Sequence, residues 1–119
     1  MSLSDIVQNG WNALGRGEFD LLVSDYTDDM VFIMPGQTDI LEGKEGFRIA
    51  LDNVGEILPL GFEITELRQI EGINEVVTIL EWKSQKIESS QLVVLFKFKN
   101  KKIYEERWFV DTEQWKSAF

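Results

Sequence analysis

The run Tyr104-Glu105-Glu106-Arg107-Trp108 sets three charged side chains between two aromatic ones in an apolar, β-rich stretch. In a strand, alternate residues face opposite sides. Glu106 then shares a face with Tyr104, Trp108 and Val110. Ile103, Glu105, Arg107 and Phe109 take the other. A carboxyl group on an apolar face has its charged form destabilised, which raises its pKa toward the range useful for acid–base chemistry. Glu106 is therefore the candidate catalytic residue, as general acid or base. It could equally pair with a buried donor such as a tryptophan N–H, or lie near a cavity mouth in water. Other chemistries are closed by composition. The chain has no histidine and no cysteine, so it offers no imidazole base, no thiolate nucleophile, no disulfide and no zinc–thiolate cluster.

Around that carboxyl group, Trp11, Phe32, Met34, Trp82, Val94, Phe96, Tyr104 and Trp108 are the candidate ligand-binding residues. Ligand pockets are mostly apolar and aromatic with a few polar groups. Filling the core is the competing role for each. The remaining polar motifs read as structural. Asp28-Asp29 is a turn without the further oxygen ligands a metal needs, so no metal site and no cofactor is expected. Gly15-Arg16-Gly17 ends a helix rather than opening one, so it is not a phosphate loop. Lys97, Lys99, Lys101 and Lys102 form a basic hairpin tip, read as a solvated turn.

The elements that must position these residues follow from periodicity. Residues 4–14 read as a helix with Ser4 as N-cap and Val7, Trp11 and Leu14 on one face. Gly15-Arg16-Gly17 ends it. A short second helix places Phe19, Leu22, Val23 and Tyr26 together, with Tyr26 structural. Thr27-Asp28-Asp29 is a turn, and Met30 to Met34 a strand stopped by Pro35-Gly36. Residues 44–58 carry Phe47, Ala50, Leu51, Val54 and Leu58 as the stripe of a long third helix. Strands are expected at 63–71, 75–86, 90–99 and 102–110, with a tight hairpin at Asn100-Lys101. Asp111 to Gln114 read as a capping box that opens a C-terminal helix. Helices segregated from an antiparallel sheet define an α+β class.

The chain has 119 residues, which suits one domain over 1–119. A formal net charge of −9 argues against nucleic acid as a partner. No apolar run reaches a membrane-spanning length and Met1 to Asp5 lack a signal-peptide pattern, so a cytoplasmic protein without a membrane partner is expected. The outward sheet face, aliphatic at its centre and charged at its margin, could serve self-association.

Taken together, the pattern resembles the SnoaL-like branch of the nuclear transport factor 2-like superfamily. The segments that carry the resemblance are Gly17-Glu18-Phe19-Asp20, Tyr26-Thr27-Asp28-Asp29-Met30-Val31, Met34-Pro35-Gly36, Glu42 to Phe47, Phe96-Lys97-Phe98 and Lys102 to Arg107. The resemblance implies a curved, mostly antiparallel sheet forming a cone around three helices, an internal pocket, and a homodimer through the outer sheet face. Among activities it implies isomerases, polyketide cyclases, dehydratases and epoxide hydrolases, and fold cannot choose among them. Ketosteroid isomerase chemistry needs carboxyl groups where this chain has Met34 and Val94, and a tyrosine near Gly10 or Trp11, which argues against it. The epoxide-hydrolase arrangement needs an inward arginine, whereas Arg107 faces outward and Arg48 lies off its helix stripe. In the cyclase pattern Glu106 stands where an inward histidine would be. The expected function is binding of a small apolar organic molecule, with metal-free isomerisation, cyclisation or dehydration on one reading. On the other reading the chain is a non-catalytic ligand-binding or association domain.

Overall fold

In a computed structural model, which describes residues 1–35 and 40–119, the chain opens with helix α1, Leu3–Arg16. Its N-cap is Ser2, not Ser4. The Ser2 hydroxyl accepts from the Asp5 N–H at 3.1 Å, and Asp5 returns the bond to the Ser2 N–H at 3.3 Å, closing a capping box. Ser4 is left free to donate through both its N–H and its hydroxyl to Glu71, each at 2.8 Å. Gly17 ends the helix at φ 72, the left-handed conformation that suits glycine. Ile6, Val7, Trp11 and Ala13 form its buried face.

Helix α2, Phe19–Val23, stops one turn earlier than its apolar stripe suggests. Tyr26 does not continue it. It opens strand β1, Tyr26–Ile33, so Thr27, Asp28 and Asp29 are strand rather than turn. The cause is tertiary. Tyr26 pairs with Ile103 in the parallel ladder β1 makes with the last strand, and the Ile103 N–H donates to the Asp25 carbonyl at 2.8 Å. An aromatic and a β-branched residue suit that pairing. Met34 follows the strand and Pro35 lies in a turn, while Gly36, the other half of the expected stop signal, lies outside the described residues.

A two-residue strand β2, Leu41–Glu42, pairs antiparallel to β1. The expected long helix is two: α3, Lys44–Asp52, and α4, Val54–Ile57. Asn53, at φ −114 and ψ 40, breaks it and donates to the Ala50 carbonyl. Asparagine and the nearby Gly55 are weak helix formers, so the apolar stripe crosses the break without holding one axis.

Strands β3 (Glu63–Gly72), β4 (Glu75–Lys83), β5 (Ser90–Lys99) and β6 (Lys102–Phe109) form an antiparallel meander. Asn100 and Lys101 take φ of 52 and 63, the turn that matches strand twist in a two-residue hairpin. The sheet order is β2-β1-β6-β5-β4-β3. Register shifts in the β1/β6, β3/β4 and β5/β6 ladders bend the strands, so the sheet curves around α1 and α3. Its concave face is a continuous buried layer: Val76, Thr78, Leu80 and Trp82 on β4, then Leu92, Val94, Phe96 and Phe98 on β5. Helix α5, Thr112–Ala118, closes the end. Asp111 caps it by accepting from the Gln114 N–H at 3.0 Å. Gln114 does not reciprocate as a capping box would; its side chain takes the Ser90 hydroxyl instead.

The β5/β6 shift corrects one orientation. Lys97 pairs with Glu105 but Phe98 pairs with Ile103, so Tyr104 is the extra residue of a bulge. Ile103 is therefore buried, and Tyr104, expected inward, is 38% exposed. Strict alternation resumes beyond the bulge, with Glu106 and Trp108 inward.

Candidate functional site

A cavity of about 600 Å³ opens between the helices and the concave sheet face. That volume suits a small organic ligand. Its wall is mainly aliphatic and aromatic. α1 supplies Val7 and Trp11, β1 supplies Phe32, α3 supplies Phe47, and β5 and β6 supply Phe96 and Trp108. The rings touch one another. Trp11 meets Phe96 edge-on at 6.0 Å and Trp108 at 6.1 Å, while Phe32 stacks on Phe47 at 5.7 Å.

Glu106 is set into this wall, 4% exposed. The Tyr26 hydroxyl donates to one carboxyl oxygen, and the Trp108 indole N–H donates to the other at 2.7 Å. The strand period explains the second bond, because Glu106 and Trp108 are two apart on one face. The first depends on the parallel β1/β6 pairing, which brings Tyr26 to a residue far away in sequence. Burial pushes the Glu106 pKa above the ordinary carboxylate range, and the two donors hold part of that rise back. Tyr26 is raised well above the ordinary phenol value, by burial first and by the neighbouring carboxylate second, so it stays a neutral donor. Each carboxyl oxygen keeps a second lone pair. The group can accept a further donor from a ligand, or exchange a proton with one.

The lining carries other polar groups. Asp25 also lines the cavity; burial raises its pKa while Lys102 and Lys44 pull it down. On α5, Thr112 and Lys116 line it too, with Trp115 between them. Among the described residues no cluster of three or more acidic side chains is arranged to hold a metal ion.

Of the residues singled out in the sequence, Trp11, Phe32, Met34, Phe96, Glu106 and Trp108 meet at this cavity. Trp82, Val94 and Tyr104 are not in its wall. Trp82 lies deeper, stacked on Phe62 at 5.5 Å and edge-on to Trp115 at 5.3 Å. Val94 is fully buried between Thr78 of β4 and Trp108 of β6 by register. Tyr104 points out on the bulge. Sequence reading missed Tyr26, Asp25, Trp115 and Lys116. Trp115 carried the same signal as the other tryptophans. Tyr26 carried none, because nothing local announces a parallel partner.

The SnoaL-like domain family model matches residues 7–106. No curated protein matches the chain at a significant level. Solved structures do. A protein of unknown function with a cystatin-like fold from Xanthomonas campestris superposes with a TM-score of 0.83 at 22% identity, over 99% of this chain and 97% of that one. An NTF2-like protein from Burkholderia xenovorans LB400 gives 0.78 at 17% identity, over 98% and 94%. A putative SnoaL-like polyketide cyclase from Shewanella putrefaciens CN-32 gives 0.74 at 17% identity, over 98% and 84%. At these identities the likeness is one of fold.

Proposed function

We propose that this chain, which belongs to the SnoaL-like domain family, acts over 1–119 as one unit that binds a small, largely apolar organic molecule and moves a proton on it. The observation that carries this reading is one carboxyl group, Glu106, held by two donors in the wall of an otherwise apolar cavity. A raised pKa brings such a group toward the range where it can both give and take a proton. As a base it would accept a proton from an acidic carbon of the ligand; as an acid it would return one to carbon or oxygen. Isomerisation, cyclisation and dehydration all reduce to that exchange. Tyr26 and Trp108 would hold the carboxylate that begins and ends the exchange, with the neutral acid in between. The polyketide-cyclase name of the Shewanella structure fits this chemistry.

The test is turnover of a panel of enones, β-hydroxy ketones and polyketide-like substrates by wild type and Glu106→Gln. Glutamine keeps the shape and removes the titrating proton. Loss of turnover by about 100-fold or more with binding retained is the expected result, since general acid–base catalysis contributes that much. Equal turnover by the two proteins removes Glu106 from the mechanism.

A second reading, a non-catalytic binding domain, is favoured by the fact that both Glu106 oxygens already have protein donors. The trio then serves to tie β1 to β6 beneath a binding site. Ligand binding without turnover across the panel selects it. Both readings include a homodimer through the outer sheet face, where Ile79, Val93 and Leu95 are only half-buried and Lys97, Glu105 and Arg107 form ion pairs at 3.5 Å beside them.

A further inference from the structure

We propose that the molecule taken into the cavity is an amphipathic anion, with its negative group at Lys116 and its apolar body along the tryptophans toward Glu106. This deepens the reading of the cavity as a binding site and rests on it.

Among the described residues that line the cavity Lys116 is the only cation, in a chain with 21 acidic residues. It is exposed, and among the described residues it forms no ion pair, although Glu113 lies three residues away on the same helix. Other cations also lack an ion pair among the described residues; what sets Lys116 apart is its place in the cavity lining. Thr112 is four residues before Lys116, so hydroxyl and ammonium share the face of α5 that lines the cavity. An apolar path connects this edge to the carboxyl group. Trp115, next to Lys116 in sequence, meets Trp108 at 5.9 Å, and Trp108 donates to Glu106.

The charges give the cavity a direction. Asp25 and Glu106 disfavour an anion beside them, and the Lys116 ammonium favours one at the α5 edge. A carboxylate or similar anion at Lys116 leaves its hydrocarbon against Trp115 and Trp108. The bond that Glu106 would act on then lies away from the charged end.

Titration of the intrinsic tryptophan fluorescence tests this, because Trp11, Trp108 and Trp115 line the cavity. The probes are octanoate, octanamide and octylammonium, which share a chain and differ in charge. Octanoate should bind roughly fivefold tighter than octanamide at low salt, as a solvent-accessible ion pair allows, with octylammonium weakest. The preference should shrink in high salt. Lys116→Gln should bring octanoate and octanamide to within about twofold, and Lys116→Glu should put octylammonium ahead of octanoate. Equal binding of octanoate and octanamide to wild type, or a preference that survives Lys116→Gln, overturns the inference and leaves the cavity reading standing. No response to any of the three probes overturns both.

Discussion

Glu106 has a titration that should be visible in the protein's stability. Its pKa is raised on folding by burial, so the folded chain holds this proton more tightly than the unfolded chain does. Below the ordinary carboxylate range both states are protonated and the contribution is fully present. As pH rises from that range through the folded-state pKa, the folded state binds more protons than the unfolded state, and stability falls. Glu106→Gln has no such proton. Thermal unfolding across a pH series should show the wild type losing stability relative to Glu106→Gln over that window, and a constant difference would contradict the raised pKa. Tyr26→Phe removes a donor that favours the charged form and so raises the folded-state pKa further; the same decline should begin at the same pH, extend to higher pH and be larger. Glu106→Leu orphans both the Tyr26 hydroxyl and the Trp108 N–H. Each buried unpaired group costs about 1–3 kcal/mol, so this variant should unfold at clearly lower denaturant than Glu106→Gln.

Between residue and fold, the helices and strands show where local pattern suffices and where it does not. α1, the β4–β6 meander and the Asn100-Lys101 turn were legible, because their period and turn chemistry are local. The places that departed share a cause. Tyr26 left its helix for a strand because β6 offered it a partner. Tyr104 turned outward because one extra residue in β6 shifted the ladder, and alternation counts residues without seeing bulges. The third helix broke at Asn53, where two weak helix formers outweighed a continuous apolar stripe. α5 shows the opposite case, a short helix announced by its cap. Asp111→Ala should cost about 1 kcal/mol through the lost bond to the Gln114 N–H. Because α5 carries Trp115 into the aromatic cluster, the same variant should weaken the near-ultraviolet circular dichroism more than the far-ultraviolet signal. An unchanged near-ultraviolet spectrum would mean that α5 stays docked without its cap.

At the scale of the whole molecule, the curved sheet has a concave side filled with side chains and a convex side left half-covered. The convex strip of Ile79, Val93 and Leu95 is the surface on which the dimer proposal stands. Light scattering at micromolar concentration should report two copies, and Leu95→Arg should return one by placing an unpaired charge in the contact. A wild-type monomer would contradict the proposal. The amino-acid sequence alone determined the α+β class, the strand order of the meander, the inward Glu106 and Trp108, and the absence of histidine and cysteine chemistry. These depend on periodicity and composition, which any stretch of chain displays by itself. Only the tertiary structure decided that Tyr26 reaches Glu106, that Trp115 and Lys116 join the cavity wall, and that Trp82 and Val94 lie beneath it. Those facts depend on which distant segments become neighbours and on single-residue shifts in register, and the free energy that selects them comes from packing the whole sheet at once.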